Sequence, residues 1–325
     1  MTPFSGVELC TARWQQEFHS TSQVFPVSDQ YEVLMVSRRL LLMFVAAMLL
    51  SVSGAQAADK KTRILFVTQS KGFVHKSVKR GDSLSAAEIA LTQLGETSGQ
   101  FEVDCTQDCE SDFTKENLQK YDIVAFYTTG DLPISQENLD YFFNVWLKKK
   151  GHGVLGFHSA MDTFKNYPPY LDMIGGNFLA HPWGAGTQVT ITNHEPENPL
   201  TKSFGKELTL KEEIYMYTHW QPEKVHVLMS LDYSKSPVKA AVPVKYGYHV
   251  PVCWIKEYGQ GRVYCNNLGH NESSWTNQQY LDSIVAAVKW IRGDFDVDAT
   301  PNPKVSAEQE AKARADFEAG GFTAR

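Results

Sequence analysis

The amino-acid sequence predicts a doubly wound α/β fold with a mostly parallel sheet and a β-rich elaboration. Strand-like and helix-like segments alternate four times between residues 63 and 157, with short links between them. This order is typical of βαβ units with right-handed crossovers. The strand-like segments are continuous apolar runs, as expected for parallel strands that are buried on both faces. After His158 the pattern changes, and residues 187–265 are predicted to form shorter strands rich in proline and turns.

Each element has its own local signal. The predicted strands of the first half are residues 63–68, 101–105, 122–127 and 153–157. The helix after the first strand begins with a capping box, from Ser85 to Glu88, and is expected to end near Gly95. Two further helices are expected over 114–120 and 135–150, and the three lysines that end the second suit the negative end of the helix dipole. Residues 277–292 are strongly amphipathic and predict a helix that packs on the sheet.

The first 57 residues are predicted to lie outside the fold. Met35 is followed by two arginines, an apolar run over 40–50 and the motif Ala55-Gln56-Ala57, which is the pattern of a secretory signal peptide. We interpret residues 1–34 as a mis-annotated upstream segment, 35–57 as a signal peptide, 58–292 as the domain and 293–325 as a polar tail. Two alternatives stay open: a twin-arginine signal, and a chain that is not exported and buries the apolar run as a helix.

The charge balance and the absence of certain motifs exclude several partners. The chain has 31 basic and 37 acidic residues, a net charge of −6, and its basic residues do not cluster with aromatic residues. Nucleic acid is therefore not expected as a partner. The sequence has neither G-x-G-x-x-G after the first strand nor G-x-x-x-x-G-K-[ST], so no nucleotide cofactor is expected.

Export would place the cysteines in an oxidising compartment. Four cysteines follow the signal peptide, and this even number predicts two disulfides with three possible connectivities. Cys253 and Cys265 flank a predicted hairpin turn at Gly259, which would bring them within bridging distance. Cys105 and Cys109 would then close a small loop. A cysteine metal site is disfavoured by their C-x3-C spacing.

Histidines follow the predicted strands at the edge of the sheet where open α/β folds bind ligands. His75 follows the first strand, His158 the fourth, and His181 a glycine-rich segment farther along. His158 ends an apolar strand and has small neighbours, as in a nucleophile elbow, but the elbow position holds no serine or cysteine. An acyl-enzyme mechanism is therefore disfavoured. His158 could act as general acid, general base or metal ligand, or could simply order the turn.

Taken together, these segments resemble the ThuA-like (trehalose-utilisation) family of the class I glutamine amidotransferase-like superfamily. The matches span about 63–292 and are Gly72-Phe73-Val74-His75-Lys76-Ser77, Gly156-Phe157-His158-Ser159-Ala160, Gly175-Gly176-Asn177-Phe178 with His181-Pro182, Glu213-Ile214-Tyr215, Pro251-Val252-Cys253-Trp254, Tyr258-Gly259-Gln260-Gly261-Arg262-Val263-Tyr264 and Leu268-Gly269-His270. The resemblance implies a flavodoxin-like fold and a role in sugar catabolism, often beside a partner sugar oxidoreductase. The elbow cysteine of true amidotransferases would correspond to His158, so glutaminase chemistry is not expected.

The resemblance also implies a pocket built from histidines and one carboxylate: His75, His158, His181, Glu213 and His270. We expect His158, Glu213 and His75 to be catalytic, and we expect substrate to be bound by Trp183, Asp131 and Tyr215. A divalent metal such as zinc is expected on a subset of His75, His158, His181 and His270. Two positions depart from the family pattern: Glu212, where Asp is usual, and His249, near which an acidic or small polar residue is usual.

These residues predict an exported enzyme of carbohydrate catabolism, periplasmic or extracellular, with no membrane association after signal cleavage. It would act on a sugar or keto-glycoside as a hydrolase, lyase or isomerase, with a small-molecule carbohydrate as substrate. The alternative is a non-catalytic carbohydrate-binding protein in which aromatic residues stack on sugar rings: Tyr127, Trp183, Tyr215, Trp254 and Trp275. Amide-bond cleavage follows from fold analogy alone, and the missing cysteine counts against it.

Overall fold

The computed structural model describes residues 61–325. The predicted upstream segment 1–34 and signal peptide 35–57 lie outside the described residues. Within 61–325, no helix is both long enough and apolar enough to cross a bilayer.

A nine-stranded sheet forms the centre of the described chain. Its strands are β1 Thr62–Val67, β2 Phe101–Thr106, β3 Ile123–Phe126, β4 Gly153–Phe157, β6 Gln188–Asn193, β7 Glu207–Lys211, β9 His226–Leu231, β10 Pro251–Tyr258 and β11 Gly261–Asn266. Their order is β2-β1-β3-β4-β11-β10-β9-β6-β7. In this spatial order the first five strands, β2, β1, β3, β4 and β11, are parallel to one another. Each of the next four, β10, β9, β6 and β7, pairs antiparallel with the strand before it. The predicted mostly parallel sheet with a β-rich elaboration is therefore confirmed.

A second, two-stranded sheet lies beside the large one. Its strands β5 Asn177–Trp183 and β8 Ile214–Thr218 pair antiparallel with each other. Strand β7 of the large sheet ends at Lys211 and β8 of the small sheet begins at Ile214. Glu212 and Glu213 are therefore the junction between the two sheets.

Helices cover both faces of the large sheet, and the apolar interior consists of two cores. One core takes buried residues from α1 Ala86–Ser98, α6 Gln278–Arg292 and α7 Pro303–Ala319. The other takes them from α2 Cys109–Asp112, α3 Lys115–Leu118, α4 Gln136–Tyr141 and α5 Pro168–Ile174. Helix α4 continues into a π-helical turn, Phe142–Trp146, so the predicted helix 135–150 ends early.

The start of α1 is as predicted, but its end is not. The Ser85 side chain accepts from the Glu88 N–H and the Glu88 carboxylate accepts from the Ser85 N–H, which confirms the capping box. The helix runs past Gly95 to Ser98 and ends at Gly99 in the left-handed conformation. A Cβ at Gly95 would lie 2.6 Å from the carbonyl oxygen of Phe101, so this glycine allows the helix to approach β2 closely.

The predicted disulfides are wrong, since all four cysteines of the described residues are free thiols. In the β10–β11 hairpin Cys253 is opposite Asn266, and Cys265 is opposite Trp254. This offset of one residue turns the two side chains to opposite faces of the sheet. Cys253 and Cys265 accordingly lie in different apolar cores. Cys105 and Cys109 are also assigned to different cores, because Cys105 packs on the first core and Cys109 lies in the second.

The predicted polar tail, 293–325, is a folded part of the domain. Helix α7 buries Phe317, whose ring packs edge-on against Tyr233 and Tyr248. The Glu310 carboxylate accepts from the backbone N–H groups of Tyr248 and His249 at 2.7 Å each. Its composition is polar because its apolar contacts are few, but these contacts are large and are joined by ion pairs such as Lys312–Asp232.

Candidate functional site

Four ionisable side chains converge beyond the carboxyl ends of the parallel strands. They are His75, His158, Glu213 and His270, and one ligand atom from each lies within 4.8 Å of all the others. We call this set the histidine cluster. His75 is in the loop after β1, His158 follows β4, His270 follows β11, and Glu213 is at the junction of the two sheets. This is the edge at which open α/β sheets bind their ligands.

The position of His158 depends on a strained turn. Its φ is +41°, in the left-handed region that residues with a Cβ rarely occupy. Strand β4 ends at Phe157, so the chain turns sharply and presents the imidazole at the strand end. The Nδ1 atom donates to the carbonyl oxygen of Asn267 at 2.8 Å. Since that bond places the proton on Nδ1, the Nε2 lone pair is left to face the cluster.

The distances within the cluster match those between ligands around a single small cation. Glu213 Oε1 is 3.0 Å from His270 Nδ1 and 3.5 Å from His158 Nε2. His270 Nδ1 is 3.2 Å from His158 Nε2. Ligands about 2.1 Å from a tetrahedral zinc ion would lie roughly 3.4 Å from one another. The cluster is therefore arranged as a metal site would be.

His75 completes the cluster from the side of β1. Its Nε2 atom lies 3.2 Å from the hydroxyl of Tyr215. The rings of His158 and His270 each pack edge-on against the His75 ring, with ring centroids 5.0 Å apart. Its Nδ1 atom is buried and has no hydrogen-bond partner in the described part of the chain. A buried nitrogen without a hydrogen-bond partner is available to bind a metal or a substrate.

The surroundings of His75, Glu213 and His270 shift the pKa of each in a definite direction. Burial, followed by the charges of His158 and His270, lowers the pKa of His75 to about 2. Burial alone would raise the pKa of Glu213, but the neighbouring imidazoles of His158 and His270 lower it well below its ordinary value. Burial opposes the charged form of His270, yet the hydrogen bond to Glu213 raises its pKa. At neutral pH the cluster thus contains a carboxylate and a neutral His75, both able to coordinate a cation.

The site opens to solvent on one side. His75 and His158 are buried, whereas the side chain of His270 is 20% exposed and that of His181 is 51% exposed. His181 Nδ1 lies 3.2 Å from Glu213 Oε2, the oxygen that faces away from the other histidines. Phe73, which is 66% exposed, packs edge-on to His75 at 4.9 Å. A ligand would therefore enter past His181, His270 and Phe73.

Sequence comparison places the chain in a known family. The family model ThuA, described as trehalose utilisation, matches residues 63–291. The chain belongs to the ThuA family. No curated protein sequence matches it.

Solved structures agree with the ThuA assignment at the level of the fold. A ThuA-like protein from Bacteroides uniformis is 22% identical, with a TM-score of 0.58 over 78% of this chain and 99% of that one. A ThuA-like protein from Parabacteroides merdae is 15% identical, with a TM-score of 0.55 over 75% of this chain and 94% of that one. The shared flavodoxin-like fold is thereby supported.

The structure brings together most of the predicted site of this ThuA protein. His75, His158, His270 and Glu213 meet in the cluster, and His181 lies next to it on the second oxygen of Glu213. Tyr215 is at the site but buried, with its ring 4.2 Å from that of His158, so it forms a wall of the cluster.

Other predicted residues lie elsewhere. Trp183 is fully buried in the first core and donates to the Ser236 carbonyl, so its ring is not accessible to a substrate. Asp131 is exposed and lies outside the cluster. His249 is half-buried and lies 2.8 Å from the Ser230 hydroxyl, again outside the cluster. All five aromatic residues proposed for sugar stacking are buried: Tyr127, Trp183, Tyr215, Trp254 and Trp275.

Sequence reasoning missed two residues that shape the site. The Asn267 side chain bonds both the N–H and the carbonyl of Tyr215, while its own carbonyl holds His158. Its signal in the sequence was a polar amide directly after the apolar strand β11. Glu212 was noted only as a departure from the family pattern, and it is fully buried.

Proposed function

We propose that this ThuA-family chain is a metal-dependent enzyme of carbohydrate catabolism. The observation that carries the proposal is the convergence of three imidazoles and one carboxylate, whose ligand atoms lie within 4.8 Å of one another. A nitrogen-rich set with one carboxylate suits zinc and neighbouring transition metals better than magnesium or calcium. The ligands would be His75, His158, His270 and Glu213, a subset of the predicted histidines joined by the predicted carboxylate.

The chemistry of the site would be divided between the metal and the chain. When bound, a metal of this kind polarises a carbonyl oxygen or lowers the pKa of water. The described residues orient the ligands. Asn267 fixes the tautomer of His158, and the Glu213 carboxylate holds the His270 ring next to itself. His181 is exposed beside Glu213 and is placed to exchange protons with a substrate. Such a site suits a hydrolase, lyase or isomerase acting on a sugar or keto-glycoside.

The purified full-length protein is expected to contain about one divalent metal ion per chain. Because the ion would join four separate loops, its removal by chelator should lower the melting temperature, and added zinc should restore it. Elemental analysis and thermal unfolding with and without chelator measure both effects. A preparation that takes up no zinc, manganese or iron, and whose melting temperature ignores these metals, would contradict the proposal.

A sugar as substrate is supported by the family description and by the rim of the site. The backbone of Phe73 is held at the end of β3, since the Thr129 hydroxyl donates to the Phe73 carbonyl at 2.9 Å and accepts from the Gly72 N–H at 3.1 Å. Its ring nevertheless remains exposed next to His75. A rigid exposed aromatic ring beside polar groups is suited to the apolar face of a sugar.

The Phe73→Ala variant is therefore expected to raise KM about tenfold with little change in kcat, because it removes the exposed ring and leaves all four cluster side chains present. A mass-spectrometric screen of disaccharides and keto-disaccharides would first identify a substrate. The matched control is Tyr246→Ala, a change at another exposed aromatic residue outside the site, which should leave KM unchanged. Equal KM values for wild type and Phe73→Ala would remove Phe73 from the substrate site.

The enzyme reading is preferred to the carbohydrate-binding alternative because the five aromatic residues of that alternative are buried. Export to the periplasm or outside the cell, and a partner sugar oxidoreductase, remain parts of the proposal. Export is supported by the basic, apolar and small-residue pattern of 35–57. Mass spectrometry of the amino terminus of the mature protein would test it.

A further inference from the structure

Glu212 is a buried carboxylate with an unusual set of partners. Its side chain is fully buried, and both of its oxygens accept hydrogen bonds. One oxygen accepts from the N–H groups of Glu213 and Asn271, at 2.9 and 3.1 Å. The other accepts from the Gly269 N–H at 3.2 Å and from the Ser274 hydroxyl. Four donors thus compensate a charge that would otherwise be costly to bury.

These donors come from two segments that are far apart in the chain. The Glu213 N–H belongs to the junction between β7 and β8, and the other three belong to the turn 269–274 after β11. His270 lies between Gly269 and Asn271, whose N–H groups both bind Glu212. One carboxylate therefore binds the backbone of Glu213 and the backbone on both sides of His270.

The two segments have no strand pairing to hold them in register. Strand β8 pairs with β5 in the small sheet, whereas β11 lies within the large sheet. The Glu213–His270 contact of 3.0 Å consequently depends on side-chain bonds across the gap. Glu212 supplies such bonds directly at the two residues concerned, and Asn267 supplies others at Tyr215.

We infer that Glu212 is a positioning residue, which holds Glu213 and His270 at coordinating distance without itself touching the ligand. The inference rests on the proposed metal site. The turn 269–274 has other anchors, since Ser77 donates to the His270 carbonyl at 2.6 Å and Tyr127 donates to the Gly269 carbonyl at 2.8 Å. Loss of Glu212 should therefore misalign the cluster without unfolding the domain.

The Glu212→Gln variant tests this role because it keeps the side-chain volume but replaces one acceptor oxygen by a donor. That donor must face an N–H group whichever way the amide is turned, so one of the two segments is pushed away. The expected result is a zinc dissociation constant 10- to 100-fold higher than that of the wild type, the usual loss on changing the partner of a metal ligand. It is measured on the full-length protein by competition with a chromophoric chelator, at a temperature at which all variants are folded.

The matched control is Glu88→Gln, the same change at a buried carboxylate with hydrogen bonds to Arg80, Thr68 and Ser85. It should lower stability and leave zinc affinity within twofold of the wild type. Ser274→Ala removes one donor to Glu212 and should weaken zinc binding by a smaller factor. It serves in place of Glu212→Gln should that variant fail to fold.

A second readout separates this inference from the proposed function. In a crystal structure of the metal-free Glu212→Gln variant, Glu213 Oε1 and His270 Nδ1 are expected to lie beyond hydrogen-bonding distance. If the wild type binds no metal, the proposed function fails, and this separation alone decides the role of Glu212. An unchanged separation, or zinc affinity equal to that of the wild type with only a lower melting temperature, would overturn the inference.

Discussion

The His158→Ala variant is expected to lose its metal and nearly all turnover while keeping its fold. We expect kcat/KM to fall about a thousandfold, the range seen when a group that transfers protons or holds the reacting centre is lost. The loss is local because His158 is the first residue after β4, and its Nδ1 bond ends on a backbone carbonyl that remains in place. Alanine at a φ of +41° is strained as histidine is, so the backbone strain is little changed.

Metal content, kcat/KM and melting temperature should be measured together on His158→Ala. The matched control is His249→Ala, which removes a half-buried histidine that lies outside the cluster and bonds Ser230. That control should lower stability but retain metal and activity. A large fall in the melting temperature of His158→Ala, with metal and kcat/KM unchanged, would show instead that His158 only orders the turn.

The Glu88→Gln variant is expected to lower the free energy of unfolding by about 2 kcal/mol at pH 7. Glu88 is fully buried on α1, and both its oxygens accept from the Arg80 guanidinium, at 2.7 to 3.1 Å. Breaking a buried ion pair destabilises by roughly 3 to 5 kcal/mol, and a smaller loss of about 2 kcal/mol is expected here because the Arg80 side chain is 30% exposed and solvent screens the pair.

The same pair makes stability depend on pH. Burial would raise the pKa of Glu88, but hydrogen bonds from Arg80, Thr68 and Ser85 lower it below the ordinary value of 4.5. A lowered pKa in the folded state contributes stability above pH 4.5, and this contribution is lost as the pH falls through the folded pKa. In urea unfolding, the free energies of unfolding of the wild type and Glu88→Gln should differ at pH 7 and converge below pH 4. The exposed Glu110→Gln serves as control, and a difference independent of pH would contradict the assignment.

Much of the site could be predicted because its residues follow strands. His75, His158 and His270 come after β1, β4 and β11, and parallel neighbours place their carboxyl ends along one edge. The alternation of apolar strands and helices was sufficient to place His75 and His158 at that edge, whereas His270 was included through family resemblance. Glu213 was found through family resemblance, since nothing in its local pattern distinguishes it from the adjacent Glu212.

The failures share one physical cause, which is that burial and register are properties of the packed chain. Trp183 is an aromatic residue in a promising loop segment, but packing buries it fully. Cys253 and Cys265 are separated by the right number of residues for a hairpin pair, yet a shift of one residue in register directs them to opposite faces. Such a shift leaves the composition and the alternation of the strands unchanged.

By itself, the sequence determined the α/β class and the family, and it placed His75 and His158 at strand ends. These follow from local signals, because apolar runs, capping residues and glycines act over a few neighbours. Only the tertiary structure decided how closely Glu213 and His270 meet the other histidines, that Glu212 and Asn267 hold the two sheets together at the site, and that 293–325 folds onto the domain. Those outcomes depend on contacts between residues that are far apart in the chain, which no local pattern encodes.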